Sequence, residues 1–277
     1  MVQLSQATAP LIHEVEIVDE QGRKKLIHIP GERPLTIYLD KRELVTLMTL
    51  GGAPEALVLG YLRNQRLVPS IETIKSIQVD WETESVAVTT HGNTVDIEEK
   101  TSRRVVTTGC GQGTIFGGIM DDIDQIHLSE TASITQSAVY QIVDHIRTRS
   151  SIYKQAGSVH ACAVFKNCGE TAELMHFVED VGRHNAVDSI AGLMWLDDRN
   201  GDDLIFYTTG RLTSEMVIKG AQMGIPFLLS RSGVTAMGLE MANKVNLTLM
   251  GRCSGQHYLI YSGVNRLVSR ENNAHTA

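Results

Sequence analysis

The chain reads as an α/β protein, and two rhythms in its 277 residues say so. After residue 136, strand-length apolar runs alternate with amphipathic helix-length segments. That pattern predicts a mostly parallel central sheet covered on both faces. Before residue 100, short strands separated by turn signals surround one helix, which predicts a smaller α/β region. A hydrophobic content of 42% can supply a core for both.

The elements follow in order. Glu14 to Val18 and Lys24 to Ile29 alternate around a Gln21-Gly22 turn and predict a hairpin. Leu35 to Leu39 and Leu44 to Leu50 predict two more strands. Pro54 opens a helix, since its missing N–H is no loss in a first turn. Ala56, Leu57, Leu59, Gly60 and Leu62 fit one buried side of it. Ile74 to Val79 and Ser85 to Thr89 predict a strand pair, and Val105 to Thr107 a further strand. Ser137 to Arg147 predicts a helix with Val139, Ile142, Val143 and Ile146 on one face. Strands Val159 to Phe165 and Leu174 to Val178 follow. Helices are then expected at Asn185 to Leu196, Ser214 to Met223 and Thr235 to Val245. Strands are expected at Leu204 to Thr208, Phe227 to Ser230, Leu247 to Met250 and Tyr258 to Tyr261. The polar, glycine-rich stretch from Glu98 to Asp124 marks the junction. We expect residues 1–106 to form the N-terminal α/β domain, 107–128 a Gly-rich loop carrying Cys110, and 129–277 the C-terminal domain.

Composition excludes several classes. The net charge is −7, which opposes nonspecific binding to nucleic acid or to an anionic membrane. The longest apolar runs, such as Ile225 to Leu229, are too short to span a bilayer. The first residues lack a basic segment followed by an apolar one, so a cytoplasmic protein is expected. Cysteines 110, 162, 168 and 253 show no disulfide spacing and are expected to be reduced thiols.

Chemistry-bearing residues cluster in a few places. Thr108-Gly109-Cys110-Gly111-Gln112-Gly113 surrounds a thiol with glycine, which leaves the sulfur reachable. An ordinary thiol is only about a few per cent thiolate at neutral pH, and Arg103 and Arg104 upstream can raise that fraction. Such a cysteine fits a nucleophile that accepts sulfane sulfur, and it equally fits an incidental residue in a linker. The glycines match neither Gly-x-x-x-x-Gly-Lys-Ser/Thr nor Gly-x-Gly-x-x-Gly, because Phe116 stands where the last glycine is needed. His160-Ala161-Cys162 resembles the His-x-Glu of zinc deaminases with cysteine in the glutamate position. No Cys-x-x-Cys occurs in the sequence, so a zinc site is not expected.

Three strand ends carry cations and hydroxyls. The run 176–185 holds Asp180, Arg183 and His184 at the start of a helix, where backbone N–H groups suit anions. Asp180 can accept from a base edge or a sugar hydroxyl. Thr208 to Glu215 holds Arg211 and Ser214, with Ser214 or Thr213 as the helix cap. Ser230-Arg231-Ser232-Gly233 opens the next helix. Each is an ordinary cap by itself. In a parallel sheet the three converge on one edge, a setting suited to phosphate. Arg252-Cys253-Ser254-Gly255-Gln256-His257 reads as a hairpin loop between the last two strands.

Taken together, these residues resemble the FdhD/NarQ family of formate dehydrogenase accessory sulfurtransferases. The resemblance lies in Glu179-Asp180-Val181-Gly182-Arg183-His184-Asn185-Ala186 and in Gly210-Arg211-x-x-Ser214-Glu215 with Lys219. It continues in Gly224-Ile225-Pro226, Ser230-Arg231-Ser232 and Asn246 to Gly251, and extends to Thr108-Gly109-Cys110-Gly111. It implies a C-terminal cytidine-deaminase-like three-layer domain without a zinc site, beside a smaller N-terminal α/β domain. It implies that Cys110 takes sulfur from a cysteine desulfurase as a persulfide. The recipient would be the molybdenum cofactor, as bis-molybdopterin guanine dinucleotide, destined for the formate dehydrogenase catalytic subunit. Residues 252 to 257 then match the family's cofactor-binding stretch, and a homodimer is implied. One departure stands out. Many members carry Cys-Gly-x-Cys, and here the last position is Gly113, so a second thiol would have to come from elsewhere, such as Cys253. A cofactor chaperone that moves no sulfur, and a divergent deaminase-like hydrolase, are the other readings.

Overall fold

The computed structural model describes residues 2–92, 123 and 126–268, and residues 107–122 of the Gly-rich loop, Cys110 among them, lie outside that set. So does the strand expected at Val105 to Thr107. The described residues form two compact units that interleave along the chain. One takes residues 2–92, 150–161 and 178–197, and the other takes 123, 126–149, 162–177 and 198–268.

The first unit is built on a five-stranded sheet. Its strands are β1 (Gln3–Leu4), β4 (Arg33–Leu39), β5 (Arg42–Thr49), β6 (Ile74–Asp80) and β7 (Ser85–Thr90), in the order β1-β6-β7-β4-β5. β4 pairs parallel to β7 and antiparallel to β5. The expected hairpin is present as a separate ribbon, β2 (Ile12–Val18) with β3 (Lys24–Pro30), antiparallel around Gly22 at φ 75°. Helix α1 (Pro54–Asn64) begins on its proline. It is buried on nearly every side rather than one, because it lies between the sheet's core and a second helix of the same unit. That helix, α4 (Arg183–Leu196), is likewise buried from Arg183 to Gly192. Both helices are internal, and the buried polar residues Asn64 and Asp188 are paired with each other rather than with water. α1 and α4 touch backbone to backbone, since a Cβ on Gly60 or on Gly192 would overlap the other helix's carbonyls at Asp188 and Ala56. Buried Asn64 donates to Asp188 Oδ1 at 2.7 Å across the same contact.

The second unit opens with the short strand β8 (Ile134–Thr135), paired parallel with β15 (Leu267–Val268), and holds most of a six-stranded sheet. Its strands are β9 (His160–Asn167), β10 (Ala172–Asp180), β11 (Leu204–Thr208), β12 (Phe227–Ser230), β13 (Thr248–Ser254) and β14 (His257–Ser262), in the order β10-β9-β11-β12-β13-β14. The unit boundary falls within β9 and β10. The sheet is mixed, not mostly parallel: β11–β12 and β12–β13 are parallel, while β9–β11 and β13–β14 are antiparallel. The cause is the length of the connections. Helices α5 (Ser214–Gln222) and α6 (Ala236–Lys244) give the two parallel crossovers. β9 and β10, and β13 and β14, are joined by turns too short for a crossover. Helix α2 (Gln136–Thr148), capped by Thr135, packs Ala138, Val139, Ile142 and Val143 with Phe165, Phe227 and Cys253 in this unit's core. No helix among the described residues is long and apolar enough to cross a membrane.

Candidate functional site

The expected site residues fall into two groups, one in each unit. In the second unit they line the carboxyl edge of β11, β12 and β13. Backbone and hydroxyl bonds knit the loops of that edge together. Arg231 N donates to Thr208 O at 3.3 Å, Leu212 N to Gly233 O at 2.9 Å and Arg252 N to Ser232 O at 2.8 Å. Ser230 Oγ donates to Gly210 O at 2.6 Å and accepts from Ser232 N at 2.9 Å. Ser230 is fully buried, so it stitches two loops beneath the surface. Arg211, Arg231 and Arg252 are exposed above this lattice. Thr213, not Ser214, occupies the cap position of α5, and Ser214 is its first helical residue.

Arg252 owes its position to a break in β13. It sits at φ 57°, in the left-handed region, beside a register shift between Gly251 and Ser254. A bulge of this kind re-aims a side chain. The guanidinium consequently lies along the loop after β12, where a Cβ at Gly233 would stand 3.4 Å from its Nη2. The stretch 252–257 is therefore mostly strand, not loop, because β13 continues through Ser254 and only Gly255 and Gln256 turn, with Gly255 at φ 58°. Ser254, Gly255, Gln256 and His257 are exposed.

Cys253 points the other way. It is 1% exposed, its Sγ faces Met250 O at 3.6 Å, and burial pushes its thiol up to about 11 from 9.0. A neutral, enclosed thiol is a poor sulfur relay. The raised value also sets a pH dependence. Above pH 9 the unfolded thiol ionises while the folded one stays protonated. Stability should thus be unaffected below about pH 9 and fall as pH rises to about 11, by up to about 3 kcal/mol. Urea titrations at several pH values should show that slope flattened in Cys253→Ala. An unchanged slope would assign it to another group.

In the first unit, Asp180 ends β10 and Arg183, His184 and Asn185 open α4, two residues earlier than the sequence predicts. Asp180 is fully engaged. Its Oδ2 accepts from Thr49 Oγ1 at 2.5 Å and Leu50 N at 3.0 Å. Its Oδ1 accepts from Gly182 N at 3.0 Å and Asn185 Nδ2 at 2.8 Å. Burial raises its carboxyl above the ordinary range, and these four donors work against that rise. Glu179 is used in the same way, taking the N–H groups of Ile152 and Tyr153 at the start of helix α3 (Ile152–Ala156). The acidic pair of the motif thus shapes the turn. Arg183 and His184 are buried and line a cavity of about 240 Å³ within this unit, with Leu47 and Asn185. Glu32, Thr46, Met48 and His160 also line it.

Sequence reasoning reached Arg183 and His184 but not the cavity walls opposite them. Thr49 lies 131 residues from Asp180 in sequence, and no local signal links the two. Cys162 is buried in β9 beside Thr208 Oγ1 at 3.4 Å. Among the described residues, no group of three His, Cys, Asp or Glu side chains is placed to hold a metal ion.

These observations define an α/β protein that presents an arginine-bearing strand edge in one unit and a cation-floored cavity in the other. The chain belongs to the FdhD/NarQ family, whose pattern matches residues 30–268. It is 29% identical over 241 residues to the sulfur carrier protein FdhD of Listeria monocytogenes serotype 4b, covering 86% of this chain and 91% of that protein. The sulfur carrier protein FdhD of Bacillus subtilis is 29% identical, with 85% and 88% covered. A crystal structure of a candidate formate dehydrogenase accessory protein from Desulfotalea psychrophila has the same fold. It aligns with a TM-score of 0.73 at 24% identity, over 94% of this chain and 100% of that one.

Proposed function

We propose that the protein is a cytoplasmic sulfur carrier for the molybdenum cofactor of formate dehydrogenase, acting as a homodimer with Cys110 as the carrier thiol. In this reading the Cys110 thiolate attacks the outer sulfur of a cysteine desulfurase persulfide. The donor's S–S bond breaks, its thiolate departs, and Cys110 becomes Cys–S–SH. The cargo is the molybdenum–bis-molybdopterin guanine dinucleotide bound for the dehydrogenase catalytic subunit. Its phosphates would rest on Arg211, Arg231 and Arg252 beside the 254–257 turn.

The observation that carries the cargo assignment is the edge itself. Three exposed arginines stand on loops held together by hydrogen bonds, so their spacing is fixed before an anion arrives. The reading keeps the deaminase-like three-layer architecture that the family resemblance implies. A rival reading, a cofactor chaperone that moves no sulfur, is favoured by Gly113, where many members carry a second cysteine.

Incubation with desulfurase and cysteine, followed by peptide mass spectrometry, decides between them. We expect one added sulfur on Cys110, and loss of formate dehydrogenase activation in Cys110→Ser. An adduct confined to another cysteine, or a Cys110→Ser protein that still activates the enzyme, sinks the carrier role and supports the chaperone.

A further inference from the structure

The β2–β3 ribbon is a sheet of its own, joined to neither larger sheet of the chain. A two-stranded hairpin is marginal in water and gains stability from further strands. Helix α3 touches β3, yet every residue from Lys24 to Ile29 stays exposed. Leu26 is 65% exposed, and Ile27 and Ile29 are each 40% exposed. An exposed aliphatic strand with an open edge is a template for pairing with another chain.

The ladder shows which backbone groups are open. The hairpin closes with Asp19 N donating to Arg23 O at 3.0 Å, and past its far end Gly31 N donates to Leu11 O at 2.9 Å. Hydrogen-bonded pairs of an antiparallel ladder recur at every second residue. Lys25, Ile27 and Ile29 therefore bond to β2, while Lys24, Leu26 and His28 turn their N–H and C=O groups outward. Among the described residues, none of these three has a backbone partner outside the ribbon.

Charge selects the edge and its occupant. Glu14 and Glu16 stand on the outer edge of β2, and pairing β2 with its own copy about Val15 would set one against the other. Like charges directly opposite are destabilising. The cations of β3 are neutralised inside the ribbon, since Lys24 Nζ lies 2.8 Å from Glu16 and Lys25 Nζ 2.7 Å from Asp19. An acidic partner strand would find no free charge there. A second β3 meets no conflict in one antiparallel register. Ile27 then faces Ile27 of the second copy, Leu26 faces His28, Lys25 faces Ile29 and Lys24 faces Pro30. Pro30 has no N–H, but its carbonyl accepts from Lys24 N. Sliding the strands by two residues sets Lys24 against His28, or Leu26 against Pro30.

We propose that β3 is the dimerisation edge of this protein. Two copies join their β3 strands into one four-stranded sheet, with the two-fold axis at Ile27. Such a contact is isologous, because each residue meets the same partner on both copies. The proposal rests on the homodimer reading above for the number of copies and adds the surface that joins them.

Sedimentation equilibrium of the full chain should give a dimer. Ile27→Lys sets two ammonium groups across the axis and should raise the dimer Kd by about thirtyfold or more. The register is read in a Cys110→Ser/Cys168→Ser background. There Ile27→Cys should oxidise to a covalent dimer, because side chains of a non-hydrogen-bonded pair stand about 4.5–5.5 Å apart at Cβ. Ile29→Cys should not, since it faces Lys25. A monomeric wild type overturns both the homodimer reading and this surface. A dimeric wild type whose Ile27→Lys variant dimerises equally well overturns the surface and leaves the homodimer standing. Crosslinking at Ile29→Cys as fast as at Ile27→Cys overturns the register. Ile27 is exposed, so neither substitution at that position disturbs the core. Persulfide formation on Cys110 in the wild type reports the carrier role independently.

Discussion

Gly192→Ala is expected to destabilise the first unit by about 4 kcal/mol or more, enough to unfold it under ordinary conditions. The reason is the α1–α4 crossing. A Cβ on Gly192 would overlap the Ala56 carbonyl and come within 2.9 Å of Gly60 N. A Cβ on Gly60 would overlap the Asp188 carbonyl and approach Gly192 N at 2.8 Å. These atoms are backbone, so no side-chain rotation relieves the clash. The helices must separate, and separation breaks what they share. Asn64 would lose Asp188, and Arg63 would lose the Ala191 carbonyl at 3.0 Å and its place 5.4 Å from the Trp195 ring centre. Leu57, Val58, Leu59, Tyr61 and Leu62 of the surrounding core would loosen with α1. Denaturant titration should show the loss for Gly192→Ala and again for Gly60→Ala. The control is Gly22→Ala, where nothing lies within 4 Å and only the positive φ of 75° is strained. That variant should lose no more than about 1 kcal/mol. Equal, small losses at all three positions would show that the helices can repack.

The contrast between those glycines shows what was legible before the structure. Gly22 stands in a turn signal between alternating strands, and its role follows from its neighbours. Gly60 and Gly192 sit in helices that are far apart in sequence, and neither carries a local mark of the contact. The same division runs through the site. Arg211 and Arg231 follow adjacent parallel strands, and that adjacency is legible because β11–α5 and β12–α6 are local strand–helix units. The Asp180–His184 turn is expected on the same sheet edge. It follows β10, and that β9 lies between β10 and β11 is a long-range property that no local pattern carries. Arg252 was found by resemblance, but its bulge was not, since the irregularity depends on pairing with β14. The thiol of Cys253 read as a possible relay for want of one fact, its burial among Phe165, Tyr207 and Phe227.

Asp180→Asn is the second substitution with a large expected effect, and it tests whether this carboxylate shapes the turn. The change keeps the side chain's size and replaces one acceptor oxygen with an NH₂ group. Both carboxylate oxygens face a backbone N–H, Leu50 on one side and Gly182 on the other. Either orientation of the amide therefore sets a donor against a donor. Thr49 can rotate its hydroxyl to accept, but a backbone N–H cannot. Each lost bond to a buried charge costs about 1–3 kcal/mol, so a total loss near 3 kcal/mol is expected. The second consequence falls on the cavity. Asn185 spans Asp180 Oδ1 and Met48 O, at 2.8 and 2.6 Å, and so ties the first turn of α4 to β5. With that tie weakened, Arg183 and His184 lose their fixed place on the floor. Amide exchange at Leu50 and Gly182 should accelerate in the same variant. If stability falls and exchange at those two amides does not change, the loss arises elsewhere and the shaping role is wrong. If neither stability nor exchange changes, the turn accommodates the amide and Asp180 does not hold it.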